Sequence, residues 1–136
     1  MKRSHCIGIN HVNIRVPAEE IPDLTAFYSE VIGLTVGPRP PFESPGVWLY
    51  AEETPIVHLS HCRPGESLPP RNERRSSFDH VALGYHGFAA TAARLEARGV
   101  PFRVTEVPLT RQRQVFVVDP SGVGVELIFR LEEDAA

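Results

Sequence analysis

Cysteine is scarce in this chain, two in 136 residues. Cys6 and Cys62 can pair with each other, but two are too few for a disulfide-stapled secreted scaffold. A reducing, cytoplasmic setting is the expectation. Long apolar runs are missing too. After Met1-Lys2-Arg3-Ser4-His5, the residues Ile7, Ile9, Val12 and Ile14 are interleaved with polar ones, so neither a signal peptide nor a membrane span is expected. Nor is there an excess of one charge. Fourteen Lys and Arg stand against seventeen Asp and Glu, a net charge of −3, and this gives no basic surface for nucleic acid or an acidic membrane. What is present is an ordinary globular balance, 42% hydrophobic and 23% charged, in a length that suits one domain.

The chain repeats itself. Residues 7–16 alternate at period two and read as a strand, with Ile9, His11, Asn13 and Arg15 on one face. A helix opens near Ala18, tolerates Pro22 in its first turn, and carries an apolar stripe of Leu24, Phe27, Tyr28, Val31 and Ile32 up to a stop at Gly33. Strands follow near 34–39, 46–52 and 55–61. The second half starts over, with a strand at 78–85 and a helix at about 87–98 whose Phe88, Ala92 and Leu95 face inward. Strands at 102–106, 113–119 and 123–130 complete it, and Asp119-Pro120-Ser121-Gly122 turns the last hairpin. NHV at 10–12 answers DHV at 79–81, IGLTV at 32–36 answers RGVPF at 98–102, and VHL at 57–59 answers VEL at 125–127. One strand–helix–three-strand unit is used twice, at about 7–62 and 78–130, joined by a polar, proline-bearing linker at about 63–77.

The repeat makes His11 equivalent to His80, and His58 to Glu126. Each interrupts an apolar alternation, so each polar side chain faces away from its strand's apolar face. Four such groups converging on a concave surface would destabilise one another unless a cation lay between them. Imidazoles with a carboxylate suit a divalent transition metal such as nickel, zinc, iron or manganese. His61, three positions from His58, falls on the opposite face, and His5 and His86 lie outside the pattern. Trp48 and Tyr50 share one face of the third strand, and Gln114 and Phe116 one face of the seventh. Either set is a candidate cavity wall, with core packing the alternative for Trp48 and Phe116. Arg111 and Arg113 are candidates for an anionic substrate, against the alternative of ordinary solvated loop charges.

In HVNIRV, FYSEVIGL, WLYAEETPIVHL, DHVAL, RLEARGV and QVFVVDPSGVGVEL, over residues 7–130, the chain resembles the vicinal oxygen chelate superfamily, which includes glyoxalase I, fosfomycin-resistance enzymes, extradiol dioxygenases and bleomycin-binding proteins. The resemblance implies an α+β fold, a single domain over residues 1–136 in which two βαβββ modules form a curved mixed sheet around a metal site. It implies metal ligands at His11, His58, His80 and Glu126, with His58 the fourth ligand or a gate beside the metal, and Glu126 also the catalytic base. Substrate contacts are implied at Arg15, where glyoxalase I has a glutathione-binding arginine, with Asn13, Trp48 and Arg113 as further candidates. Two departures stand out: His58 occupies the place of a glutamate in glyoxalase I, and Cys62 that of a glutathione-binding asparagine. The implied function is a metal-dependent, lactoylglutathione-lyase-type isomerase or lyase. It would act on a small molecule through two coordinated oxygens and an enediolate. The alternatives are an extradiol-type dioxygenase and a non-catalytic antibiotic-binding protein. A homodimer is the implied assembly.

Overall fold

The computed structural model describes residues 4–5, 9–42, 45–62, 65–70, 73 and 80–132. Cys6, the expected first-strand residues 7 and 8, most of the 63–77 linker, and Phe78 and Asp79 lie outside these residues. The chain divides into two compact units, Met1–Ser67 and Leu68–Ala136.

In the first unit, β1 (Val12–Val16) leads through a helical stretch to β2 (Thr35–Gly37), β3 (Gly46–Ala51) and β4 (Thr54–His61). These form a four-stranded sheet in the order β1-β4-β3-β2, with β1 parallel to β4 and the other pairs antiparallel. The second unit repeats the pattern. Strand β5 (His80–Gly84), helix α2 (Phe88–Ala97), then β6 (Arg103–Val107), β7 (Gln112–Val118) and β8 (Gly124–Arg130) give the order β5-β8-β7-β6, with β5 parallel to β8. The α+β fold of two strand–helix–three-strand units is therefore present, as two four-stranded mixed sheets. No helix among the described residues is long and apolar enough to cross a membrane.

Alternation sets which face of each strand is buried. Ile14 and Val16 are buried on β1, Val57 and Leu59 on β4, Val115 and Val117 on β7, and Val125, Leu127 and Phe129 on β8. All five residues of the first helix's stripe are buried. The helix itself is irregular, with a 3-10 turn at Ala18–Glu20, α1 at Ile21–Ala26, and a π-turn at Phe27–Val31. The Ile32 amide accordingly bonds the Phe27 carbonyl at 3.0 Å, one residue further back than in an α-helix. The Thr25 and Ser29 hydroxyls each bond the carbonyl four residues back, at 2.8 and 2.7 Å, and so compete with the regular amide ladder. Burying each large apolar side chain contributes roughly 1.5–3 kcal/mol, enough to hold a widened turn that keeps Tyr28 and Ile32 inward. Gly33, at φ 90°, ends the stretch in a conformation open to glycine.

In α2 the expected inward residues Leu95 and Phe88 do pack inward, Phe88 against Phe129 at 5.7 Å, and Thr91 joins them. Thr91 and Leu95 are buried and Ala92 is half-buried. Thr91 bears burial because its hydroxyl donates to the Gly87 carbonyl at 2.9 Å. The expected hairpin forms: Asp119 Oδ1 accepts from the Ser121 amide at 2.8 Å, the Ser121 hydroxyl at 2.7 Å and the Val123 amide at 2.9 Å, while Gly122 takes φ 96°.

Register carries the repeat into three dimensions. In the first sheet Asn13 on β1 and Trp48 on β3 flank His58. In the second, Ala82 on β5 and Phe116 on β7 flank Glu126. Each fourth-strand polar residue thus sits beside the strand residue two positions after the unit's first histidine.

Candidate functional site

The second unit brings two of the four sequence-derived residues into contact. Glu126 is only 5% exposed. Its Oε2 lies 3.1 Å from His80 Nε2, and its Oε1 accepts a 2.6 Å hydrogen bond from Gln114 Nε2. The Gln114 carbonyl oxygen in turn accepts from the Thr105 hydroxyl at 2.7 Å. This fixes which end of the amide faces Glu126, and hence which carboxylate oxygen faces His80. Phe116 meets the His80 ring edge to face at 6.3 Å, and the Arg103 guanidinium covers Phe116 at 4.6 Å. The Thr105 contact had no signal in the sequence, because it depends on β6 pairing with β7 in the register Thr105↔Gln114.

In the first unit, His11, His58 and Trp48 form a column of nearly parallel rings. His11 stacks on His58 at 3.9 Å and 13°, and His58 on Trp48 at 4.1 Å and 12°. His11 Nδ1 is 2.8 Å from Asn10 Oδ1, and His58 Nε2 is 3.1 Å from the Pro55 carbonyl oxygen. Burial, then the charge of His11, hold the His58 imidazole below its ordinary pKa of 6.5. Arg39 adds to this and the Pro55 contact opposes it. The column stands in a cleft of ≈ 550 Å³ whose wall also includes Asn13, Arg15, Arg39 and Phe42. Asn13 and Ser60 exchange side-chain hydrogen bonds at 3.1 and 3.2 Å. Arg15 lies 3.8 Å from Glu66. Phe42 is 6.2 Å from Trp48 at a 53° tilt, and the Arg39 guanidinium lies 4.9 Å from the Phe42 ring centre. Asn13, Arg15 and Trp48 thus line one cleft. Arg39 and Phe42, which sequence reasoning missed, join them from a stretch with no periodicity to read.

Arg113 lies on β7 of the second unit. Its guanidinium bonds Glu106 at 3.0 and 2.7 Å and covers the Phe88 ring at 4.3 Å. His61 is half-buried, and His5 and His86 are exposed. Cys62 is a half-buried free thiol.

The two halves fit a metal differently. At bond lengths of roughly 2.0–2.2 Å, neighbouring donors around a divalent ion lie about 3 Å apart. The His80–Glu126 separation of 3.1 Å meets that. An imidazole donates in its ring plane, and the nearly parallel planes of His11 and His58 share no such point, so the stacked pair offers one donor at most. Among the described residues no three His, Cys, Asp or Glu side chains gather closely enough to hold an ion.

Two strand–helix–three-strand units, each with a polar fourth-strand residue, define a class of fold, and comparison gives its family. Residues 8–127 match the Glyoxalase/Bleomycin resistance protein/Dioxygenase superfamily, and the chain belongs to it. Its fold is similar to that of a putative glyoxalase family protein from Bacillus anthracis (22% identity, 93% of this chain and 98% of that one, TM-score 0.71). It is also similar to lactoylglutathione lyase from Agrobacterium tumefaciens (18%, 92% and 95%, 0.64). A third neighbour is TnmS3, an antibiotic-binding protein from a Streptomyces species (22%, 90% and 97%, 0.61). No curated protein sequence matches the chain. The superfamily commonly uses divalent metals and includes enzymes as well as binding proteins.

Proposed function

We propose that the chain is a metal-dependent enzyme of the glyoxalase type, an isomerase or lyase acting on a small oxygen-bearing molecule, with His80 and Glu126 as metal ligands. The observation that carries this reading is the buried Glu126 carboxylate, one oxygen tied to Gln114 and the other turned to His80 Nε2. A buried carboxylate is costly, and this one is oriented as a ligand or base is, by a partner behind it. A bound divalent ion would supply Lewis acidity toward substrate oxygens. The chain's own part is positional and protonic. Thr105 fixes Gln114, and Gln114 fixes the carboxylate. Glu126 Oε2 is then the atom placed to take a proton from a substrate carbon and hold it. Phe116 and Arg103 shield the His80 ring on one side.

Elemental analysis of protein purified without chelator should find about one divalent ion per chain. E126Q and H80A should each lose more metal affinity than H61A. H11A and H58A, measured alongside, show whether the first-unit histidines belong to the ligand set. Metal-free protein whose thermal stability is unmoved by nickel, zinc, manganese or iron would end the proposal. Methylglyoxal with glutathione, catechols with iron and oxygen, and fosfomycin with thiols then sort the reaction. Oxygen uptake with a catechol would replace the isomerase reading by a dioxygenase.

A further inference from the structure

One row of side chains crosses the second sheet beyond the His80–Glu126 pair. Phe116 on β7 is paired with Glu126 of β8 on one side and with Arg103 of β6 on the other. Directly paired residues share a face, so a carboxylate, a ring and a guanidinium stand side by side. With strands about 4.8 Å apart, the backbones of Glu126 and Arg103 are separated by roughly 10 Å. The side chains close part of that gap. Arg103 folds over Phe116 with its guanidinium carbon 4.6 Å from the ring centre, and the same ring meets His80 at 6.3 Å. The cation therefore leans toward the acid pair.

What Arg103 lacks is an acid. Arg15, Arg111 and Arg113 each meet a carboxylate, those of Glu66, Glu132 and Glu106. Among the described residues none lies within ion-pair distance of Arg103, whose contact is the Phe116 ring. Glu106, three residues on, faces the other side of β6, where Arg113 takes it. Glu126, in the same row as Arg103, has one oxygen on Gln114 and the other against His80. Cation and carboxylate thus share a face without neutralising each other, and the ring between them holds the cation in place. A guanidinium held so offers two parallel N–H donors to an incoming carboxylate. Val118, 63% exposed, follows Phe116 by two residues on the same face of β7, and gives a carbon chain an apolar surface nearby.

We propose that Arg103 sets the substrate class of the second-unit site: it takes a carboxylate at the far end of a small molecule whose oxygen-bearing end lies at Glu126 and His80. This rests on the reading of that pair as the reacting centre, and narrows the substrate to a small organic acid with its anionic group a few bonds from the reacting carbon. A neutral molecule would leave the guanidinium unmatched.

Three hydroxamates with one head and different tails test this by NMR titration of the full-length protein: succinate monohydroxamate, its primary amide, and butyrohydroxamate. The head offers two neighbouring oxygens to the Glu126–His80 end, and the tail is a carboxylate, a carboxamide or a methyl group. The series is run with nickel and again with excess chelator. The carboxylate tail should bind at least about tenfold more tightly than either neutral tail, the factor a charge-assisted contact carries. R103Q should bring the carboxylate down to the level of the amide, with R103K intermediate. F116L should lower the preference by a smaller factor, because it frees the guanidinium without removing it. The ratio between tails is the readout, since a variant that only loosens the fold weakens all three probes together. Equal binding of the carboxylate and amide tails in both conditions, no binding of the carboxylate tail in either, or an R103Q protein with the wild-type ratio would each overturn the proposal. Affinities that nickel leaves unchanged, with a ratio that still depends on Arg103, would count against the metal reading alone and support the role of Arg103.

Discussion

Replacing Gln114 with leucine tests the orientation of Glu126 most directly. The side chains are close in size, so the change removes polar contacts with little loss of volume. The first loss is the 2.6 Å hydrogen bond to Glu126 Oε1. A hydrogen bond from a neutral donor to a buried carboxylate is worth about 2 kcal/mol, within the range of about 1.5–3 for bonds to charged groups. Glu126, at 5% exposure, has little water to turn to. The second loss is the acceptor for the Thr105 hydroxyl, which is half-buried and can turn outward, so about 0.5 kcal/mol covers it. Leucine recovers some of this by apolar burial, of order 0.5 kcal/mol. The net expectation is a destabilisation of about 2 kcal/mol in urea unfolding at neutral pH, as a shifted midpoint at unchanged slope. In the E126L background the same substitution should cost under about 0.5 kcal/mol, giving a coupling near 1.5 kcal/mol or more. Metal affinity should fall about tenfold or more in Q114L, as for partners that orient ligands. A cost in the wild-type background under about 0.5 kcal/mol, or strict additivity with E126L, would refute the argument that Gln114 holds the carboxylate.

Three further outcomes are expected. Because His58 is held below 6.5 and unfolded histidine takes its proton near that value, folding stability from this group is intact above pH 6.5 and declines as pH falls toward the lower folded-state value. Trp48 emission should step down over the same window with its midpoint below 6.5 and lose the step in H58F, whereas a midpoint at or above 6.5 would contradict the burial argument. A Cβ added at Gly46 would lie 2.4 Å from the Leu59 carbonyl oxygen and 3.0 Å from Arg39 Nη2, so G46A should destabilise by about 1–3 kcal/mol in thermal or urea unfolding and a neutral result would disprove the close approach of β3 to β4. We propose a homodimer, since closed two-fold pairs are the commonest assemblies, and light scattering at micromolar concentration should give twice the 15.1 kDa chain mass, not the mass itself.

The alternation of Ile14, Val16, Val57 and Leu59, and its recurrence at Val125, Leu127 and Phe129, was enough to place eight strands and two helical stretches. Those signals are local: side chains on a strand alternate whatever lies across from it, and a helix repeats its face every three to four residues. The repeat of NHV and VHL in DHV and VEL likewise singled out His11, His58, His80 and Glu126, because one backbone used twice puts equivalent residues at equivalent register. Rotamers and neighbours were another matter. The sequence held nothing to say that His11 and His58 stack in a column on Trp48 while His80 meets Glu126 edge to edge. That difference follows from what fills the adjoining strand, an indole in one unit and Phe116 with Gln114 in the other. The Arg113–Glu106 contact likewise depends on β6 pairing with β7. Arg39 and Phe42 entered the cleft from an aperiodic, proline-rich stretch, and the π-turn at Phe27–Val31 arose where packing of Tyr28 and Ile32 outweighed the regular helical ladder. Pattern along the chain fixes which way a side chain faces. Which partner it meets depends on strand register and on residues remote in sequence, and only the folded chain supplies those.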